Sequence, residues 1–220
     1  MENQAVSKNL DENIMWWKQQ FSNCADIKML GMCLGKDMDV RAFLTYVEIT
    51  GGSFMIEKST LGNLLSGLNR LSGEEVLEKI RENGMGVSDA VPFATMSEAA
   101  DAMLTGDTVI FVDGFDRAVK IPDKGYPAMT LQEVKSEKSI RGSNEAFSNS
   151  IKQNTALIRK RLRSPDVKVW EKKVGVRTKT NVDIMYLEGL IYPEFLEEME
   201  RRLDRFTIDG VQDIGMIQQL

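Results

Sequence analysis

The 220-residue sequence contains no histidine. That excludes catalysis by a Ser-His-Asp triad or a Cys-His pair, and it excludes zinc or haem held through imidazole. Cysteine is nearly as scarce. Cys24 and Cys33 fall outside the C-x-x-C spacing of redox and metal motifs. A disulfide between them is chemically open but nothing demands it; two buried thiols in a reducing compartment is the better reading. No run of about 18 apolar residues occurs, so the chain as given does not span a membrane. The first twenty residues, MENQAVSKNLDENIMWWKQQ, are polar and acid-rich, the reverse of a secretory leader. Positive charge is not in excess either: 28 basic residues face 33 acidic ones, and a net charge of −5 gives no reason to expect a nucleic-acid surface.

What is present is globular. With 42% hydrophobic and 28% charged residues, wholesale disorder is ruled out, and the length suits one large domain or two small ones. The patterning predicts an α/β fold of two small mixed-sheet lobes, each with strand–strand–helix units, joined by a linker. Residues 1–25 read as an N-terminal helical segment with Ile14, Trp17 and Phe21 on one stripe, and 26–121 as lobe one. Residues 122–142, with Pro122, Gly125 and Pro127, read as the linker, and 143–220 as lobe two.

Within lobe one, runs over 27–34 and 42–49 form a hairpin, and leucines at helical spacing predict a helix over 54–70. Ser72 and Glu75 form a capping box opening a second helix. A short strand follows at 91–94, then a small helix capped by Ser97. The continuous apolar run 108–112 reads as a central strand, and Asp113-Gly114-Phe115-Asp116 turns it into 117–121. In lobe two an amphipathic helix covers 143–162, with Phe147, Ile151, Ile158 and Leu162 on one face. Strands at 167–174 and 180–187 follow, then a helix with Pro193 at its first position, a strand at Val211 and a last turn from Ile214. The chain stops just as new apolar patterning begins, which reads as a piece excised from something longer.

A repeat lies at an offset of 140. It aligns Asp26 with Asp166, Lys28 with Lys168, Gly35 with Gly175, Tyr46 with Tyr186 and Glu48 with Glu188. Each identity sits in the same order of elements: strand, glycine turn, strand ending in Tyr-x-Glu, glycine-containing break, helix. Two units of one ancestral design follow, one per lobe. Two hinged lobes also offer a cleft in which a ligand can sit.

Four constellations invite a chemical reading. Ser139-Ile140-Arg141-Gly142-Ser143 leads into a helix start, where free N–H groups hold a carboxylate or phosphate; alternatively Arg141 pairs with an acidic neighbour in a domain-entry loop. Arg159, Lys160, Arg161 and Arg163 crowd a helix C-terminus, which suits a polyanion, the helix dipole, or contact with an acidic subunit surface. Asp113 and Asp116 are explained by turn chemistry as readily as by cation binding. Gly31 to Asp37 lacks the spacing and the Ser/Thr of a phosphate loop. With no nucleophile–base pair, metal cluster or dinucleotide fingerprint, the residues read as a binding or assembly domain, not an enzyme, with no cofactor and no metal.

The segment SEKSIRGSNEAFSNSIKQNTALIRKRLRSPDVKV (136–169) closely resembles the signature of GerA-family spore germination proteins, the A subunits of nutrient germinant receptors. VGVRTKTNVDIMYLEGL (174–190) and GDTVIFVDGFDRAVKI (106–121) resemble further family segments. Matching signature positions are Ser139, Ile140, Arg141, Gly142, Glu145, Phe147, Asn154, Thr155, Arg159, Arg161, Ser164 and Pro165; Ser143, Asn144 and Ala146 depart from the usual pattern. The resemblance implies a soluble N-terminal domain of a spore inner-membrane protein, facing the spore core or cytoplasm. It implies B and C subunits as partners, homo-oligomers of A subunits, and membrane attachment through a downstream region. The signature residues Ser139, Arg141, Gly142, Glu145, Phe147, Asn154, Thr155, Arg159 and Arg161 are then the expected subunit or lobe interface, or a ligand contact. The competing expectation is a small-molecule-binding module with its cleft between the lobes.

Overall fold

In the computed structural model, residues 4–48, 60–82, 91–121, 146–205 and 207–219 are described. They form two units: residues 1–21 with 26–165, and residues 22–25 with 166–220. The sequence-expected linker at 122–142 lies outside the described residues. The first unit extends past that linker to Pro165, so the long helix belongs with the N-terminal half and not with the strands that follow it.

The first unit is built on a five-stranded antiparallel sheet. Its strands are β1 (Ile27–Leu34), β2 (Val40–Val47), β3 (Val91–Phe93), β4 (Thr108–Val112) and β5 (Ala118–Ile121), in the order β1-β2-β4-β5-β3. All five residues of β4 are buried, which is why its sequence does not alternate. Helices α2 (Thr60–Leu68) and α3 (Gly73–Arg81) cover one face, where Leu64, Leu68, Val76 and Ile80 pack with Leu44, Ile110 and Val112. On the other face α1 (Leu10–Gln20) inserts Trp17, fully buried, whose indole N–H donates to Thr45 Oγ1 at 2.9 Å and whose ring meets Phe111 edge-on at 5.2 Å. Helix α4 (Met96–Leu104) packs against β2, β4 and β5. Its buried Met96, Ala99, Ala100 and Met103 are spaced at helical period.

Local chemistry accounts for most element ends. Ser72 and Glu75 close the expected capping box, with the Ser72 N–H donating to Glu75 Oε2 at 2.8 Å. The cap of α4 is Thr95, not Ser97: Thr95 Oγ1 accepts from the Glu98 N–H, and Glu98 returns the bond, so a second capping box two residues earlier wins. Asp113 has a structural job, its Oδ1 accepting from the Leu10 N–H at 3.2 Å and so holding the start of α1. Cys24 is buried, but Cys33 is exposed on the edge strand β1, and the two do not form a disulfide.

Helix α5 (Ile151–Arg161) begins later than its amphipathic pattern predicts. Asn154 reaches back across the preceding turn, accepting from the Ser148 N–H at 2.7 Å and donating to Ser148 O at 2.8 Å. Those bonds hold 148–150 outside the helix. The buried face is also rotated from the expected one: Thr155, Ala156, Leu157 and Arg159 point inward, while Phe147 is 62% exposed.

The second unit contains β6 (Val167–Val174) paired antiparallel with β7 (Thr180–Leu187), then α6 (Pro193–Asp204) and α7 (Ile214–Gln218). Its core is small: Val174, Ile184, Leu203 and Val211, with Trp170, Val182 and Tyr186 packed against them. Val211 is not in a strand; its carbonyl accepts from Thr180 Oγ1 at 2.7 Å and its N–H donates to Thr178 Oγ1. Those side-chain bonds replace a ladder.

The repeat is geometric as well as sequential. Hairpins 27–47 and 167–187 have identical strand lengths and register at an offset of 140. Gly35 and Gly175 adopt φ of +91° and +90°, a left-handed turn that glycine enters freely. The next residue's N–H then bonds the loop after the first helix that follows the hairpin, Lys36 to Leu71 O and Val176 to Ile208 O. The helix before each hairpin belongs to the repeat too. Ser7 and Asn13 exchange the same pair of bonds ahead of α1 as Ser148 and Asn154 do ahead of α5, and both helices run 11 residues. Each repeat is therefore α-β-β-α-α.

Candidate functional site

Of the sequence-predicted site residues, Ser139, Arg141, Gly142 and Glu145 lie outside the described residues. The others separate into distinct roles. Asn154 holds the helix start, and the buried Thr155 hydroxyl donates to Ile151 O at 3.0 Å within α5. Phe147 and Arg161 are exposed. Arg159 is fully buried.

Arg159 sits in the last turn of α5, where the dipole favours a cation, but its side chain turns inward. Its Nε and Nη2 donate to the two carboxylate oxygens of Asp26 at 2.9 and 2.8 Å, and Nη1 donates to Ser164 O at 3.0 Å. Asp26 is 1% exposed. A planar guanidinium matches a carboxylate edge in this two-pronged way, and no lysine does. One helix face, two turns toward the N-terminus, carries Lys152, whose ammonium lies 3.2 Å from Glu48 Oε2. Lys28 of β1 reaches the same oxygen at 2.9 Å, and the Glu48 N–H donates to Asp26 O at 2.6 Å. Two carboxylates at the base of the β1–β2 hairpin thus meet two cations of α5 and one of β1.

Burial works against the charged form of Glu48, but the hydrogen bond from Lys28 and the charge of Lys152 outweigh it and hold the carboxyl below its ordinary 4.5. Tyr46 is pushed up, first by its own burial and then by the Glu48 charge. The second unit repeats part of this arrangement: Lys168, 2% exposed, lies 3.1 Å from Glu188, and the Glu188 N–H donates to Asp166 O at 2.8 Å. Tyr186 is raised by burial and then by Glu188.

Chemically this cluster is a fastener. Each carboxylate meets a cation, and the guanidinium makes three bonds with ideal partners. Among the described residues no group of three or more His, Cys, Asp or Glu is placed to hold a metal ion. A shallow depression of about 390 Å³ beside α3, lined by Leu71, Glu75, Glu78, Lys79 and Glu82, contains none of the sequence-predicted site residues. The sequence places Arg159 in a basic helix end facing the dipole or another subunit, and does not point to Asp26, Lys28, Glu48 and Lys152 as its companions. The signal was available: Asp26, Lys28 and Glu48 are three of the five identities that define the repeat.

A tandem α-β-β-α-α chain with a charge-locked helix defines a duplicated α/β domain class. The crystal structure of the N-terminal domain of the A subunit of the Bacillus megaterium spore germinant receptor GerK3 has this fold, with a TM-score of 0.68 at 23% identity, covering 100% of this chain and 78% of that one. Residues 15–220 match the family described as Bacillus/Clostridium GerA spore germination protein, and the chain belongs to that family. Among its relatives are the uncharacterized membrane protein YfkQ of Bacillus subtilis (strain 168), 29% identical over 97% of this chain, and spore germination protein KA of the same organism, 24% identical over 98%. The chain spans 41% and 39% of the length of those two proteins. No helix among its described residues is long and apolar enough to cross a membrane.

Proposed function

We propose that this chain is the N-terminal domain of a germinant receptor A subunit and works by receptor assembly and signal relay, without catalysis and without a cofactor. It acts with B and C subunits and with further A subunits, in a parent protein held in the spore inner membrane by a region outside this sequence, the domain facing the spore core. Family membership supports the setting. The observation that carries the mechanical role is the use made of the signature helix: Arg159 and Lys152 are spent on fixing α5 to the hairpin base, which leaves Phe147 and Arg161 exposed on the same segment. A fixed helix with an exposed aromatic and cation presents a surface to another subunit.

The test is spore germination with receptor abundance measured in parallel. Arg161→Glu reverses an exposed charge and leaves the buried pair intact, so the subunit should accumulate normally while nutrient-triggered germination and co-purification of the B subunit fall. Arg141→Ala and Arg159→Ala should also impair germination. Normal germination at normal receptor levels in all three variants overturns the proposal.

A further inference from the structure

The chain passes between the two units at 21–22, 25–26 and 165–166. Arg159 and both of its acceptors belong to the first unit, and each acceptor stands at the edge of a passage. Asp26 is the first residue after the chain returns at 25–26, and Ser164 is the last but one before it leaves at 165–166. One buried guanidinium therefore binds the start of one passage and the end of another, more than a hundred residues apart in sequence. The neighbouring residue is held from the other side: the Ala25 N–H donates to Val169 O at 2.9 Å, and the Val169 N–H donates to Asn23 O at 2.9 Å, which ties 22–25 to β6. Adjacent residues Ala25 and Asp26 are thus secured by different units.

We propose that Arg159 is the clasp of this double passage, making the segments around Asp26 and Ser164 move as one. The guanidinium suits the task because its donors lie in one rigid plane, two along the carboxylate and a third on the far side for the carbonyl. A lysine ammonium supplies charge but cannot hold two acceptors in that fixed relation. The anchorage of α5 is shared with the Lys152–Glu48 pair two turns away, so losing the Arg159 fork frees the passages before it frees the helix.

Hydrogen exchange on the intact 220-residue chain tests the proposal. Arg159→Lys should speed exchange at least tenfold in both 22–27 and 162–167, leaving the β4 amides at 108–112 at their wild-type rates. Asp26→Glu, which keeps the charge at one passage but displaces the carboxylate, should open 162–167 as well, a segment the same guanidinium holds through Ser164 O. Faster exchange confined to one segment, unchanged exchange in both, or an equal rise across β4 would each overturn the proposal, the last by showing that Arg159 merely stabilises the first unit as a whole. These readouts need no receptor partner, so their failure is distinct from failure of the germination test.

Discussion

Deleting either half of the Asp26–Arg159 pair should cost far more than deleting both. At 2.8 Å and an effective dielectric near 20, the attraction is about 6 kcal/mol. Burying two ions to 0% and 1% exposure costs several kcal/mol for each, so the pair as a whole comes out close to neutral. A single substitution escapes that cancellation. Asp26→Asn or Arg159→Met leaves one buried group without its counter-charge and should lower stability by ~3–5 kcal/mol. The double variant removes the orphaned charge and should fall well short of the sum, with a coupling energy of at least ~2 kcal/mol. Urea unfolding followed by tryptophan fluorescence in a Trp170→Phe background reads the first unit alone, because Trp16 and Trp17 both lie in it. Costs that add to within ~0.5 kcal/mol, or singles costing less than ~1 kcal/mol each, would refute the claim that this pair is a buried, mutually dependent unit.

Two further outcomes follow from the hairpins. Glu48 has a folded pKa below its ordinary 4.5, so its contribution is fully present above that pH and is lost as pH falls through the depressed value. The stability advantage of wild type over Glu48→Gln, measured by urea midpoints between about pH 3 and 7, should be constant near neutrality and shrink on acidification; an advantage that grew toward low pH would contradict the assigned charges. Alanine at Gly35 or Gly175 must occupy positive φ and approach Asp39 Oδ1 at 3.0 Å or Thr178 Oγ1 at 2.7 Å, so each should cost at least ~1–2 kcal/mol in thermal or denaturant unfolding. A neutral result at both would mean that the turns relax without penalty.

Sequence patterning located elements whose signals are local. Strands β6 and β7 have the bounds their apolar runs predict, and the Ser72–Glu75 box and Pro193 open helices as their chemistry requires. It failed where distant groups decide. The start of α5 is fixed by a side-chain bridge from Asn154 to Ser148, and an amphipathic count cannot see that bridge. Arg159 read as one of four cations at a helix end because its partner Asp26 is 133 positions away. The identities at offset 140 were the better guide, since a duplicated charge marks a position that both copies still use for structure: Lys28 with Glu48, and Lys168 with Glu188. The same comparison shifted by one residue would have paired Ser7 with Ser148 and Asn13 with Asn154, extending the repeat to its leading helix.

The order in which these segments leave the ribosome differs from the order in which they pack. Asp26 emerges early, but the guanidinium that neutralises it is 133 residues behind, a delay on the order of ten seconds at ordinary translation speeds. Residues 22–25 wait still longer, for the β6 backbone at Val169. During that interval the nascent chain carries a naked carboxylate at the root of an otherwise formed hairpin. The seam around Asp26 therefore closes late in synthesis, and a message truncated before Arg159 would yield a first unit with its sheet assembled and its seam unsewn.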